Sequence, residues 1–213
     1  MRRHLFAAMV MWAFTAPASM AQYDEPTEFM RVVVDDIVEQ ISTQRAQLQS
    51  DPEKLRALIM QGILPHVDFV YVSQLVLGKY WRAATPVQRE AFMVEFREML
   101  MRTYAEALLT YEDQQIRYLP TRNDPSRPDA RVRTEIVPTQ GEPIPVEYRV
   151  YKTKAGEWKV FDVSVERISI VTNYRNTFAN EIRKHTDPQR GVQALIEKLK
   201  TQSEPIELNR ETS

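Results

Sequence analysis

Asp162 is the residue best placed to do chemistry. It stands inside the most apolar strand-like stretch of the chain, Trp158–Val165 (WKVFDVSV). A carboxyl buried there has its pKa raised and could act as a general base, with Tyr148 or Tyr151 as oxyanion donors. The plainer reading is preferred: Asp162 bonds backbone amides or an Arg such as Arg149, because structural pairing produces the same pattern. Other reactive groups are scarce. The five Gly (Gly62, Gly78, Gly141, Gly156 and Gly191) form no GxGxxG, P-loop or GxSxG motif. Past the first 21 residues only His66 and His185 remain, far apart and without an acidic or His neighbour at ligand spacing. A zinc site is not expected there. His185 suits the C-terminal end of a helix dipole.

The inventory therefore points to holding something apolar rather than to breaking a bond. Val160, Phe161, Val163 and Val165 cannot all face one side of a pleated strand, because side chains alternate. A strand apolar on both faces needs cover on both faces. Helices supply one cover; the other is core or a greasy hollow. Tyr71, Tyr80, Trp81, Tyr104, Tyr148, Trp158, Tyr174 and Phe178 fall mostly on inner faces. Singly each is ordinary core. Together with Met-, Leu- and Phe-rich helix faces they suggest an interior that is not fully filled.

The N-terminus has the form of a secretory signal. Arg2, Arg3 and His4 precede an apolar run from Leu5 to Ala16, and Ser19-Met20-Ala21 offers an A-x-A-like cleavage site. The run is too short to span a bilayer, which takes roughly 20 apolar residues. Residues 1–21 are read as a signal peptide, with the mature chain starting at Gln22. There is no Cys, hence no lipobox and no disulfide. A chain this long can bury a sufficient core without staples, and its lack of Cys fits a bacterial periplasm better than an animal extracellular space. Cleavage removes two of the 28 basic residues against 29 acidic ones. The resulting net charge of about −3 attracts neither nucleic acid nor an anionic membrane strongly. The periplasm lacks ATP, so work done there is passive or driven by a membrane partner.

Helices fill the first half. Thr27 can cap one with Phe29, Val33, Ile37 and Ile41 on a face. Ser50-Asp51-Pro52-Glu53 opens a second, ended by Gly62 and Pro65, with Glu53 reaching back in a capping box. A third carries Val72, Leu75 and Val76 and stops near Gly78. Thr85-Pro86-Val87-Gln88 is a capping box that opens the longest helix, with Phe92, Phe96, Met99, Leu100, Thr103, Ala107 and Leu108 inward. The second half turns to strands: Ile116–Leu119, Arg131–Val137, Val146–Lys152 and Trp158–Val165. Two helices follow, Ile170–Lys184 and Asp187–Lys200, then a polar tail. Segregated helical and strand runs predict one α+β domain, helices packed on a curved antiparallel sheet of about four strands.

The segments LVLGKYWRAATPVQREAF (Leu75–Phe92), RTYAEALLTY (Arg102–Tyr111) and VFDVSVERISIVTNYRNTF (Val160–Phe178) resemble the MlaC family, also called toluene-tolerance periplasmic proteins. The resemblance runs in order over nearly the whole mature chain. One departure is Arg167, where many members have Gly before the Ser-led helix. The resemblance implies a phospholipid-binding domain over residues 22–202, followed by a tail at 203–213. It implies a monomeric periplasmic carrier that is not an enzyme and needs no cofactor beyond bound phospholipid. Its partners would be an outer-membrane lipoprotein–porin complex and an inner-membrane ABC transporter with a substrate-binding ring. Its role would be to maintain outer-membrane lipid asymmetry.

Each buried CH2 of an acyl chain contributes about 0.8 kcal/mol, so two chains amount to tens of kcal/mol, which only a deep slot recovers. The lining expected for such a slot comes from the third helix (Val72, Leu75, Val76) and the long helix (Phe96, Leu100, Tyr104, Leu108). The sheet adds Val132, Ile136, Tyr148, Val150 and Val163, and the helix after it Ile170, Val171, Tyr174 and Phe178. Two rival classes stay open. One is a small isomerase or dehydratase with Asp162 as base. The other is an adaptor that bridges membrane complexes with its core filled.

Overall fold

Asp51, Thr85 and Ser169 each start a helix by offering a side-chain oxygen to backbone amides in its first turn. In the computed structural model, which describes residues 25–110, 114–124 and 126–201, Asp51 accepts from Glu53 N and Lys54 N at 3.1 and 3.2 Å and opens α2 (Pro52–Leu58). The cap is thus Asp51 alone; Ser50 turns back and donates to Ala46 O. Thr85 and Gln88 form the expected reciprocal capping box at the head of α5 (Pro86–Leu109). Ser169 Oγ accepts from Thr172 N to open α6 (Ile170–Ile182). Thr27 is no cap: α1 (Pro26–Ser50) begins one residue earlier, after Glu25. The expected signal peptide and polar tail lie outside the described residues.

After α2 the backbone widens into a π-helical turn (Ile59–Ile63) and then tightens into a 3₁₀ turn (Leu64–His66). Next come α3 (Phe69–Leu77), the single turn α4 (Tyr80–Ala83) and α5. Gly78 ends α3 at φ 54°, a left-handed value that Gly adopts without steric cost. Five strands follow: β1 (Gln115–Leu119), β2 (Asp129–Val137), β3 (Ile144–Lys152), β4 (Trp158–Val165) and the two-residue β5 (Ile168–Ser169). They form one antiparallel meander in sequence order. The chain ends in α6 and α7 (Pro188–Thr201). The α+β expectation holds, with one short strand more than the four anticipated.

The extra strand arises from a tight turn. Glu166 and Arg167 have φ of 49° and 70°, and Val165 pairs with Ile168 across them. A two-residue loop with both φ positive matches the right-handed twist of its strands.

A bulge interrupts β3 and β4. Arg149 faces Asp162 while Val150 faces Val160, which leaves Phe161 as the extra residue. The bulge lets Val160, Phe161 and Asp162 be buried in succession. Val160 packs with Ala130, Val132 and Val150 against Phe29 and Met30 of α1. Phe161 packs instead with the helical core of α3, α5, α6 and α7. The two-faced apolar pattern of this strand is thereby explained.

Among the described residues the buried apolar side chains form three clusters. The largest is aromatic: Phe92 and Phe96 stack at 5.4 Å between centroids, and Tyr174 and Phe178 meet Phe96 edge-on. Val192, Leu195, Ile196 and Leu199 of α7 complete it, and each such fully buried side chain contributes about 1.5–3 kcal/mol. A second cluster joins Ile37, Ile41 and Leu48 of α1 to Leu55, Leu58, Ile59 and Met101. The third is the sheet against the start of α1.

Candidate functional site

Where the three clusters meet, the interior is open. A cavity of about 270 Å³ is walled by the π-helical turn (Ile59, Ile63), Leu64, Val67, Phe69, Val72, one face of α5, the bulged strand (Val160, Phe161, Asp162, Val163) and the start of α6 (Ile170, Val171). The α5 face is Arg97, Leu100, Met101, Tyr104, Ala105 and Leu108, a run at the 3–4 spacing of one helical stripe. The lining is hydrocarbon except for Arg97, Asp162 and the tip of Tyr104.

Local devices fix each wall. Asp68 caps α3 by accepting from Tyr71 N at 2.9 Å, and its own N–H donates to Val160 O at 2.9 Å. Tyr151 donates its hydroxyl to the same Asp68 carboxylate. That bond, with burial second, pushes Tyr151 up to about 12. Arg56 clamps both oxygens of Glu98 at 2.6 and 2.7 Å, which ties α2 to α5. This pairing, together with the attraction of Arg56, outweighs partial burial and holds the Glu98 carboxyl below its usual range. Gly62 lies in the π-helical turn so close to α1 that a Cβ there would stand 2.6 Å from Ile37 Cδ1.

Asp162 is buried, and both its oxygens are engaged. Oδ2 accepts from Ser169 Oγ at 2.7 Å and Oδ1 from Val171 N at 3.1 Å. It therefore pins the N-terminus of α6 to β4. Of its expected partners, Arg149 stacks over the Phe161 ring instead, 4.7 Å from the centroid. Tyr151 is committed to Asp68, and Tyr148 packs in the sheet cluster beside α1.

Of the residues expected to line a ligand slot, Val72, Leu100, Tyr104, Leu108, Val163, Ile170 and Val171 face this cavity. Val76, Phe96, Tyr174 and Phe178 are submerged in the aromatic cluster, with Leu75 packed on it. Val132, Val150 and Tyr148 belong to the sheet cluster. Ile136 pairs with Ile116 and Ile144 towards the far end of the sheet from Val160. The residues not foreseen are Ile59, Ile63, Leu64, Val67, Phe69, Arg97, Met101, Ala105, Val160 and Phe161. The signal for the first three was the apolar run IMQGIL, read as a helix end. For α5 it was the stripe 97, 100, 101, 104, 105, 108, hidden because its head is an Arg.

A wider groove of about 590 Å³ opens on the other side of Tyr151 and Phe161, between Asp68, Tyr71, Arg127, Asp129 and Arg149. Its lining mixes charged and apolar residues, and its charges pair with one another: Asp129 lies 3.1 Å from Arg127 and 4.0 Å from Arg149. It does not suit a hydrocarbon ligand. Among the described residues no group of three or more His, Asp and Glu could hold a metal ion, and no helix is long and apolar enough to cross a membrane.

Comparisons with known proteins agree with this architecture. The chain is 27% identical over 203 residues to the intermembrane phospholipid transport system binding protein MlaC of Haemophilus influenzae, covering 94% of this chain and 92% of that one. It is 27% identical over 186 residues to the toluene tolerance protein ttg2D of Pseudomonas putida, covering 87% and 84%. The solved structure of a phospholipid-binding protein from Ralstonia solanacearum, in complex with a phospholipid, superposes with a TM-score of 0.75 at 31% identity, over 82% of this chain and 94% of that chain. The model of the MlaC protein family matches residues 31–201, a span running from α1 through the cavity walls to the end of α7. With its bulged strand, its Ser-led helix and its open centre, this chain belongs to the MlaC family.

Proposed function

We propose that this protein is a periplasmic phospholipid carrier whose cavity takes the acyl chains. The observation that carries the reading is an almost wholly hydrocarbon cavity at the junction of three separate apolar clusters. It occurs in a chain 31% identical to a protein solved with a phospholipid. Protein cores close-pack, so a hydrocarbon-lined void of this size is space left for something else. Here hydrocarbon from outside would complete the packing. The volume lies just below the roughly 300–1,000 Å³ of ligand pockets, so two chains enter only if the walls part. The seam between α2–π-turn and α5 is the natural place for this, since it is held across by the Arg56–Glu98 pair at its surface.

In this reading residues 1–21 direct export and are removed. The carrier moves as a monomer between an outer-membrane lipoprotein–porin complex and an inner-membrane ABC transporter with a substrate-binding ring, and so maintains outer-membrane lipid asymmetry. It performs no covalent chemistry: Asp162 anchors α6 and needs both oxygens to do so. The names of the Haemophilus and Pseudomonas relatives support transport and tolerance roles. The test is to purify the mature protein, extract it with organic solvent and weigh the extract by mass spectrometry. One diacyl phospholipid per chain is expected. A protein that never carries stoichiometric lipid, even after incubation with phospholipid vesicles, is not this carrier.

A further inference from the structure

We infer that Arg97 holds the phosphodiester of the bound lipid, an assignment that rests on the carrier reading and adds a direction to it. Arg97 opens the α5 stripe that continues through Leu100, Met101, Tyr104, Ala105 and Leu108 along the cavity. Its side chain is 32% exposed, so it lies where the cavity wall reaches solvent. Its Nε is buried and has no hydrogen-bond partner among the described residues. Leaving a buried charged donor unpaired is costly, and such an atom calls for an acceptor from elsewhere.

The neighbouring acids do not provide it. Glu98 is 4.0 Å from Arg97 Nε, but both its oxygens are clamped by Arg56. Asp162, the other charged residue of the lining, spends both oxygens on Ser169 and Val171. An apolar slot with a guanidinium at its lip whose buried Nε has no hydrogen-bond partner among the described residues fits an amphiphile with an anion at one end. A guanidinium fork matches the paired oxygens of a phosphodiester. The acyl chains then run from Arg97 along the α5 stripe toward Leu108 and the π-helical turn. Since every phospholipid has this group, the contact gives no choice among head-group alcohols, but it separates phospholipid from neutral diacylglycerol.

The experiment offers delipidated protein dioleoyl phosphatidylglycerol and dioleoylglycerol together, and separately oleate, and weighs what is retained. The wild type should retain the phosphatidylglycerol in preference, by roughly tenfold to a hundredfold, the usual worth of a charge-assisted hydrogen bond. Arg97→Gln should bring the two diacyl lipids near parity. Arg97→Met, which keeps the apolar stem, should do the same if the Gln variant folds poorly, and Arg97→Lys should keep part of the preference. A folded Gln or Met variant with undiminished preference overturns the assignment, as does a wild type that favours oleate over the phosphatidylglycerol. A wild type that retains no lipid at all defeats the carrier reading itself, and this inference with it.

Discussion

The hydroxyls of Tyr104 and Tyr174 meet at 3.1 Å, one on the cavity wall and the other wholly buried in the aromatic cluster. Burial, and then this bond, pushes the Tyr174 phenol far up, so it stays neutral. The pair joins α5 to α6 and turns the polar tip of Tyr104 toward a partner. Its two halves are not equivalent. Tyr104→Phe strips the partner from the hydroxyl of a fully buried residue and should cost about 1–3 kcal/mol, whereas Tyr174→Phe leaves the hydroxyl of a partly buried one and should cost about 1 kcal/mol or less. The double variant should cost less than the sum, because neither orphan remains. Urea denaturation of the three variants measures this; equal and additive losses would show that the bond contributes nothing.

Much of this architecture is legible in the sequence because the relevant signals are local. The Thr85–Gln88 box, the Asp51-Pro52 start and the Gly78 stop are each set by a few neighbouring residues. The cavity is less legible. Helix phase alone put Phe96 in one row with Leu100, Tyr104 and Leu108, yet steps of four residues rotate around a helix of 3.6 per turn. Phe96 therefore ends in the aromatic cluster while Arg97 takes the head of the cavity stripe. On the sheet, strand phase put Val132 and Val150 toward ligand, but that face meets α1. Nothing within β2 or β3 states which helix covers which face. The bulge at Phe161 depends on pairing with β3, so the strand itself shows only its symptom, apolar residues in succession.

Ala105 should separate space for ligand from ordinary core. It lines the cavity, so a larger side chain there takes up room that the carrier reading assigns to lipid. Ala105→Phe should raise the stability of the lipid-free protein by roughly 0.5–2 kcal/mol, the usual gain from filling a void. It should lower retained phospholipid at the same time. Thermal unfolding of delipidated protein and mass spectrometry of extracts read the two effects. Loss of stability without loss of lipid would mean that Ala105 is close-packed and the cavity lies elsewhere.

Glu98 gives the chain an acid-sensitive clamp. Its carboxyl is held below the usual 4.5 in the folded protein, first by the hydrogen bonds from Arg56. A depressed carboxyl pKa contributes stability that is fully present above the unfolded value and lost as pH falls through the folded one. Between neutral pH and about 5 the Arg56–Glu98 contribution should be constant. Below 4.5 it should fade. Glu98→Gln should lower the urea midpoint at pH 7 and flatten its decline toward acid. Parallel curves for wild type and variant would remove Glu98 as the source.

Arg167 carries a backbone cost that Gly would not. Its φ of 70° places Cβ against its own carbonyl, at roughly 1–2 kcal/mol for an L-residue, partly offset by the greater freedom of Gly in the unfolded chain. Arg167→Gly should raise stability by roughly 0.5–1 kcal/mol with lipid content unchanged. Glu166→Gly should act in the same direction, since its φ is 49°. A destabilised Arg167→Gly protein would mean that the Arg side chain makes a contact worth more than the strain.

Asp162 separates anchor from catalyst. As an anchor it joins β4 to the first turn of α6, where Val171 N would otherwise be a buried donor without a partner. Asp162→Asn keeps one oxygen for Val171, and the Ser169 hydroxyl can rotate to accept from the new amide, so the loss should be near 1 kcal/mol. Asp162→Ala removes both acceptors and should cost about 1–3 kcal/mol. Ile170 and Val171 would then loosen at the cavity wall, and lipid exchange with vesicles should become faster. A catalytic base behaves differently: Asn would abolish turnover with the fold intact, and no graded series from Asn to Ala would appear in stability or exchange. Finding that the Asn variant folds like wild type and loses a measurable isomerisation would make Asp162 a catalyst rather than an anchor.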